Sequence, residues 1–243
     1  MKTLLTTVFL VVISFGSVFA QTPKVNPYLI TTGDRIFEYE QITGDSSRIF
    51  GTIYERITHN KGEVLTEFVF VQELPNATLT DTIIVDSETF EPVRYRSLVP
   101  KFQDISVGYS IPGSAEIEMQ RNIPNQMVDT TYSVKIQSTV YDYHWPHVLL
   151  YAVGSLEKDG DVINLPVFTY RNKKSRQPIS YVGNESVLLH DEEHNAVIWK
   201  AVDPQSGTEN TYWIDRITNR LLQSKAKLSS GMIFWFRQKG TIG

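Results

Sequence analysis

From residue 34 onward the chain runs in short apolar stretches separated by polar breaks. Val, Ile, Thr and aromatic residues cluster in runs bounded by Gly, Pro, Asn and Asp, the pattern of β-strands. It predicts strands near 34–42, 48–58, 63–73, 80–86, 92–99, 102–110, 114–121, 129–138, 161–170, 179–190, 195–202, 210–215, 220–228 and 230–238. Their short, even spacing favours meander connections over crossover helices, so the expected fold class is mainly β with a large antiparallel sheet. One segment changes period. In Trp145-Pro146-His147-Val148-Leu149-Leu150-Tyr151-Ala152-Val153-Gly154 the apolar stripe at 145, 148, 149, 152 and 153 is helical. Asp142 can cap its start and Gly154 can end it, which predicts one short helix packed on the sheet.

Several strands are apolar on both faces. In Glu67-Phe68-Val69-Phe70-Val71 the phenylalanines and valines point opposite ways, and 195–200 and 232–236 behave similarly. An antiparallel sheet ordinarily keeps one polar face, so something is expected to cover the second: the sheet curling on itself, a partner chain, or an apolar ligand. A helix of about ten residues spans only about 15 Å and cannot hide so wide a sheet.

The sequence also repeats itself faintly. Thr82-Ile83-Ile84-Val85-Asp86-Ser87-Glu88-Thr89 aligns with Thr211-Tyr212-Trp213-Ile214-Asp215-Arg216-Ile217-Thr218 at a constant offset of 129 residues. Each copy reads as strand, Asp-x-x-Thr turn, strand. An Asp side chain accepts a hydrogen bond from the backbone two residues on, so Asp86 and Asp215 are expected to close turns rather than to form a carboxylate pair for catalysis.

The first 20 residues follow a different pattern. Lys2 is their only charge, an apolar run follows, and Val18-Phe19-Ala20 offers small residues at the cleavage positions before Gln21. This predicts a secretory signal over 1–20 and one exported β domain over 21–243, with no transmembrane segment in the mature part. The exported part then has 223 residues, and its 22 basic side chains face 27 acidic ones. That balance disfavours nucleic acid as a partner. The densest basic run, 171–176, reads as a solvated loop. The absence of cysteine in an exported chain leaves the core alone to hold it together and fits a bacterial envelope protein, in the periplasm, at the outer membrane or outside the cell.

Candidate chemistry is sparse. His190-Asp191-Glu192-Glu193-His194 is the most metal-like string, but strand-like flanks make it a polar hairpin turn, and its order is not that of a zinc protease. His144 and His147 flank the helix start. A hydrolase with a dispersed site would need His144 or His190 beside a carboxylate in a cleft. There is no Gly-x-Ser-x-Gly elbow, phosphate-cradling loop or dinucleotide fingerprint. The reading is of a non-catalytic protein with no cofactor and no metal.

Three stretches carry a resemblance: Thr82 to Tyr95 with its Asp-x-x-Thr turn and Pro92-Val93 strand, Asp142 to Leu150 followed by Leu165-Pro166-Val167-Phe168, and Tyr212-Trp213-Ile214-Asp215 with Leu221-Leu222. They resemble a family of bacterial exported proteins known only as a domain of unknown function. That family is similar in fold to the periplasmic carriers of outer-membrane lipoproteins. The resemblance implies a twisted antiparallel sheet curled into an incomplete barrel around one short central helix, and no catalytic residues. With the two-sided strands it leads to an apolar or amphiphilic ligand, such as lipid, held on the concave face. Trp199, Trp213, Phe234 and Phe236 are the expected lining. The alternative is a structural or protein-interaction module of the cell envelope.

Overall fold

The computed structural model describes residues 26, 29–60, 62, 64–110, 113–123, 126–136, 141–142, 147–153, 162–169, 173–203 and 206–242. The expected signal at 1–20, His144, Trp145, Pro146 and Gly154 lie outside them.

The described residues form fifteen strands and one helix. Eight strands precede the helix: β1 (Gly33–Thr43), β2 (Ser46–Asn60), β3 (Leu65–Leu74), β4 (Ala77–Asp86), β5 (Pro92–Val99), β6 (Gln103–Ser110), β7 (Gly113–Ile123) and β8 (Gln126–Ile136). A two-residue strand, β9 (Tyr141–Asp142), leads to helix α1 (His147–Val153). Then follow β10 (Val162–Thr169), β11 (Lys173–Leu189), β12 (Glu192–Val202), β13 (Glu209–Asp215), β14 (Leu221–Lys227) and β15 (Ile233–Ile242).

All belong to one sheet of order β8-β7-β6-β5-β4-β3-β2-β1-β15-β14-β13-β12-β11-β10-β9. Every pairing is antiparallel except that of β9 with β10. Two meanders are thus joined where β15, the last strand, pairs with β1, the first. The sheet curls: β9 ends the order, yet it comes close to β5, near the opposite end. It stays open, so the architecture is the expected incomplete barrel around a central helix.

Alternation explains which wall is apolar. Phe37 and Tyr39 of β1, Ile53 and Ile57 of β2, Phe68 and Phe70 of β3, Ile83 and Val85 of β4 and their successors on each strand point into the concave side and are buried. Polar residues between them face out. The two-sided strands resolve on the same terms: Phe68 and Phe70 are fully enclosed, whereas Val69 and Val71 lie partly exposed on the convex face. Valine is at home there because a β-branched side chain fits a pleated, half-covered surface.

Helix α1 lies within the curl, and its enclosure exceeds the one-sided stripe that the sequence suggests. Val148, Leu149, Leu150 and Tyr151 are all buried. The basic run is not a loop throughout: β11 begins at Lys173, and Pro178 sits within it opposite Asn164.

The 129-residue repeat is structural. The Asp86 carboxylate accepts from the backbone N–H groups of Glu88 (2.9 Å) and Thr89 (2.7 Å) and from the Thr89 hydroxyl (3.0 Å). That of Asp215 accepts from Ile217 (2.9 Å), Thr218 (2.7 Å) and the Thr218 hydroxyl (3.1 Å). Phe90 and Asn219, again 129 apart, both take left-handed backbone conformations, at φ 62° and 53°. Asp215 also accepts from His194 Nδ1 at 3.0 Å and is more buried than Asp86. Asp215→Ala is therefore expected to destabilise by about 1–3 kcal/mol and Asp86→Ala by less, as measured by urea unfolding.

Candidate ligand-binding site

The concave face divides into two parts, and the first is built around a buried ionic knot. On β1 the inward positions are Arg35, Phe37 and Tyr39; on β2 they are Ile53, Glu55 and Ile57. Arg35 and Glu55 thus place a cation and an anion inside an apolar wall, and both are buried to about their last atom, at 2% and 1% exposure. Arg35 donates to Glu55 through Nε at 2.8 Å and again through Nη2, and it donates to the backbone carbonyl of Leu221 on β14. From α1 the Tyr151 hydroxyl donates to Glu55 Oε1 at 2.6 Å and accepts from Arg35 Nη2 at 2.9 Å. Arg220, at the end of the second repeat's turn, reaches Glu55 at 3.4 Å and the carbonyl of Gly33 at 3.1 Å.

This arrangement sets the charge states. Burial alone would raise the Glu55 carboxyl, but Arg35, aided by His147, Tyr151 and Arg220, holds it below its ordinary value. Burial raises the Tyr151 hydroxyl, and the Glu55 charge adds to the effect, so the phenol stays a donor. His147 lies one turn away, edge-on to Phe70 (5.6 Å) and Tyr151 (5.6 Å), with Tyr212 at 5.9 Å. Burial pushes its imidazole down to about 4, with the Glu55 charge opposing and Arg35 reinforcing the shift. The group has the residue types of an acid–base site, but each polar atom named here is spent on binding another part of the fold.

The second part of the concave face lies four residues further along β1, about 13 Å from Arg35. Here Tyr39 stacks on Phe236 of β15 (centroids 4.5 Å apart, planes at 20°), meets Phe234 at 5.3 Å and receives the edge of Phe50 of β2 at 5.2 Å. Phe50 and Phe234 are 6.1 Å apart. A bulge makes this cluster: Tyr39 pairs with Gly51 and Glu40 with Ile49, so Phe50 is the extra residue. Gly51 is required beside it, because a Cβ there would stand 2.2 Å from the Glu73 carbonyl oxygen. Phe50, Phe234 and Phe236 remain partly exposed, forming an aromatic shelf. At its rim the exposed Arg48 guanidinium sits 5.4 Å from the Phe50 ring and donates to Gln41 Oε1 at 3.0 and 2.6 Å. Burial raises the Tyr39 hydroxyl to about 12, so it is neutral at physiological pH.

The four residues expected to line a ligand site do not meet at one place. Phe234 and Phe236 are on the shelf. Trp199 is on the concave face but inside the core, edge-on to Tyr181 at 5.9 Å. Trp213 points the other way: it pairs with Ile198 and packs in a small satellite cluster with Val187, Leu189, Ala196 and Leu222. Tyr39, Phe50, Arg48 and the whole knot were missed by sequence reasoning. The available signal was a charge at inward phase between apolar neighbours, as in Arg35-Ile36-Phe37 and Ile53-Tyr54-Glu55.

The other candidates have ordinary places. His190 and Asp191 are the exposed corners of the β11–β12 hairpin, both with positive φ. Among the described residues no group of three or more His, Asp or Glu is arranged to hold a metal ion. No helix among them is long and apolar enough to cross a membrane. The convex face carries a groove of about 530 Å³ lined by Leu65, Ile84, Val93, Arg94, Gly108 and Glu116, among others.

Comparison with known proteins places the fold in a family. Residues 29–231 match the model described as protein of unknown function (DUF3108), which covers β1 to β14, the helix and both repeat turns. The chain belongs to the DUF3108 family. Among solved structures, the chain is similar to the hypothetical lipoprotein YmcC from Escherichia coli (K12), at 12% identity over 93% of this chain and 94% of that one, with a TM-score of 0.33. It is also similar to a DUF1329 family protein from Desulfovibrio piger ATCC 29098, at 8% identity over 87% and 85%, with a TM-score of 0.26. None of the curated proteins matches the chain.

Two predictions follow from the knot. Glu55→Gln leaves Arg35 and Arg220 buried without their counter-charge and is expected to cost about 3–5 kcal/mol in chemical denaturation; Tyr151→Phe, which removes one hydroxyl, costs about 1–3 kcal/mol. The second concerns pH. An unfolded histidine titrates near 6.5, whereas His147 resists protonation down to about 4. Between those values the unfolded chain binds a proton that the folded chain refuses, so stability is full above the upper limit and falls as the pH drops, by up to about 3 kcal/mol. Thermal unfolding as a function of pH checks this: His147→Phe is expected to flatten the slope in that window, leaving the loss at lower pH to which Glu55 contributes.

Proposed function

We propose that this protein is an exported, non-catalytic binding protein of the bacterial envelope that holds an amphiphilic ligand, such as a lipid, against its concave face. The observation that carries this reading is the aromatic shelf. Tyr39, Phe50, Phe234 and Phe236 form one apolar surface on the concave wall, beyond the part that α1 fills, and three of the four are partly open to solvent. Partly covered aromatic rings at the mouth of a curled sheet suit an acyl chain, and a few convergent polar groups suit its head. Arg48 and Gln41 stand at the rim in that position, so an anionic head group is favoured over a cationic one. The wide, uncharged shelf and the commitment of Glu55, Arg35 and Tyr151 to structural bonds support binding rather than catalysis.

A second reading, a structural or interaction module of the envelope, is favoured by the groove on the convex face, whose lining combines apolar Leu65, Ile84 and Val93 with the charged Arg94 and Glu116.

Native mass spectrometry of the protein purified from its own host tests the first reading. The expected result is a co-purifying amphiphile. Its occupancy falls at least tenfold in Phe50→Ser/Phe234→Ser, and anionic forms lose preference over neutral ones in Arg48→Gln. A folded protein that is always empty, and that binds neither oleate nor phosphatidylglycerol on titration, overturns it.

A further inference from the structure

We propose that the convex face holds a second, small-molecule site: a trough over Gly108 that takes an apolar α-amino acid by both of its charges. The outward positions of three neighbouring strands build it. Pairing sets Arg94 of β5 beside Gly108 of β6, and Gly108 beside Glu116 of β7. The next row, two residues along each strand, is Arg96, Ser106 and Glu118. Two arginines thus stand on one wall and two glutamates on the other, and the strand between them offers only a hydrogen atom and a hydroxymethyl group as floor. On the arginine side Leu65, Ile84 and Val93 give the groove of about 530 Å³ its apolar surface. Val93 takes part because a bulge leaves it as the extra residue between Pro92 and Arg94, which pair with Val85 and Ile84.

Gly108 is the observation that points to a ligand. Glycine inside a strand weakens it, having no side chain to pack and more backbone freedom to lose. Here the fold asks for none: Gly108 has no positive φ, and a Cβ on it would meet nothing within 4 Å. Gly51 differs, since its Cβ would strike the Glu73 carbonyl. The space over Gly108 is kept open at a cost to β6 that no packing returns, as happens where something from outside comes close to the backbone.

The charges select the occupant. Asp104 engages Arg96 at 2.7 Å, so the second row has its cation already paired. Arg94 and Glu116 are exposed, and neither has an ion-pair partner among the described residues. Their strands, β5 and β7, lie two spacings apart, about 9.5 Å. The ammonium and carboxylate of an α-amino acid stand about 3 Å apart. With a charge-assisted hydrogen bond of about 2.8 Å at each end, the molecule bridges about 8–9 Å. Its carboxylate meets the Arg94 fork, its ammonium meets Glu116, and its side chain turns onto Ile84 and Val93. A ligand of one charge sign would be drawn to one wall and repelled by the other. A second copy of the chain is a poor occupant, because two convex walls touch along a line, far short of the roughly 1,000 Å² that a stable interface buries.

Isothermal titration calorimetry of the unaltered protein with L-leucine and L-phenylalanine tests the site. Binding is expected with a Kd of about 1 mM or tighter. N-acetyl-L-leucine lacks the ammonium and L-leucinamide lacks the carboxylate. Each is expected to bind about tenfold weaker or worse, as is L-leucine to Arg94→Gln or Glu116→Gln. Gly108→Val fills the floor and abolishes binding, while its urea midpoint stays equal to or above that of the unaltered chain, because valine suits a strand better than glycine. The proposal is overturned by affinity weaker than about 1 mM for both amino acids, or by equal affinity for the neutralised analogues or in the two glutamine variants. A Gly108→Val protein that unfolds earlier, or that still binds, overturns it as well.

Discussion

A carboxylate cannot sit in an apolar interior unless its charge is met there, and Glu55 is enclosed on every side. The groups that meet it come from three places in the chain: Arg35 on β1, Tyr151 on α1 and Arg220 at the head of β14, where Arg35 also donates to the carbonyl of Leu221. Satisfying one buried anion therefore fixes the first meander, the second meander and the helix relative to one another. The same knot lies where the two meanders join, since β15 inserts between β1 and β14. Such knots add little net stability over a well-packed apolar equivalent, but they are costly to leave half-made, and so they select one arrangement.

That selection divides the inside of the curl. Around the knot, α1 fills the space: its aromatic neighbours Phe68, Phe70 and Tyr212 close on Tyr151 and His147, and both of these side chains are buried. Further along β1 and β2 the helix no longer reaches, and the wall is surfaced by Tyr39, Phe50, Phe234 and Phe236. The bulge that turns Phe50 inward and the close approach at Gly51 belong to that second part. Among the described residues, the concave face thus keeps an aromatic patch partly open beyond the helix.

Much of the fold was legible in the sequence, because alternation and turn chemistry are local. Each of the fourteen expected strands is present, and the Asp-x-x-Thr repeat at Asp86 and Asp215 is reproduced down to matching hydrogen bonds and matching left-handed residues. The start of β11 was not legible, since Lys173 to Pro178 has the composition of a loop, and pairing with β10 overrides it. The candidate site was mostly illegible. Phe234 and Phe236 were found through their apolar density, but Tyr39 and Phe50 join them only through the β1–β15 pairing of the chain's two ends, and Trp199 and Trp213 fall on opposite faces by simple parity across one strand pair. Arg35 and Glu55 meet across the β1–β2 hairpin, but Arg220 and Tyr151 join them only through the β1–β15–β14 pairing and the docking of α1.

The division of the concave face is most directly tested by native-state hydrogen exchange. If the knot makes α1 part of the common core, the amides of Leu150, Tyr151 and their neighbours exchange only through global unfolding, with the same free energy as the central residues of β1 and β2. Exchange of α1 at a much lower free energy, while β1 and β2 stay protected, would show that the helix leaves the sheet on its own and would contradict the account.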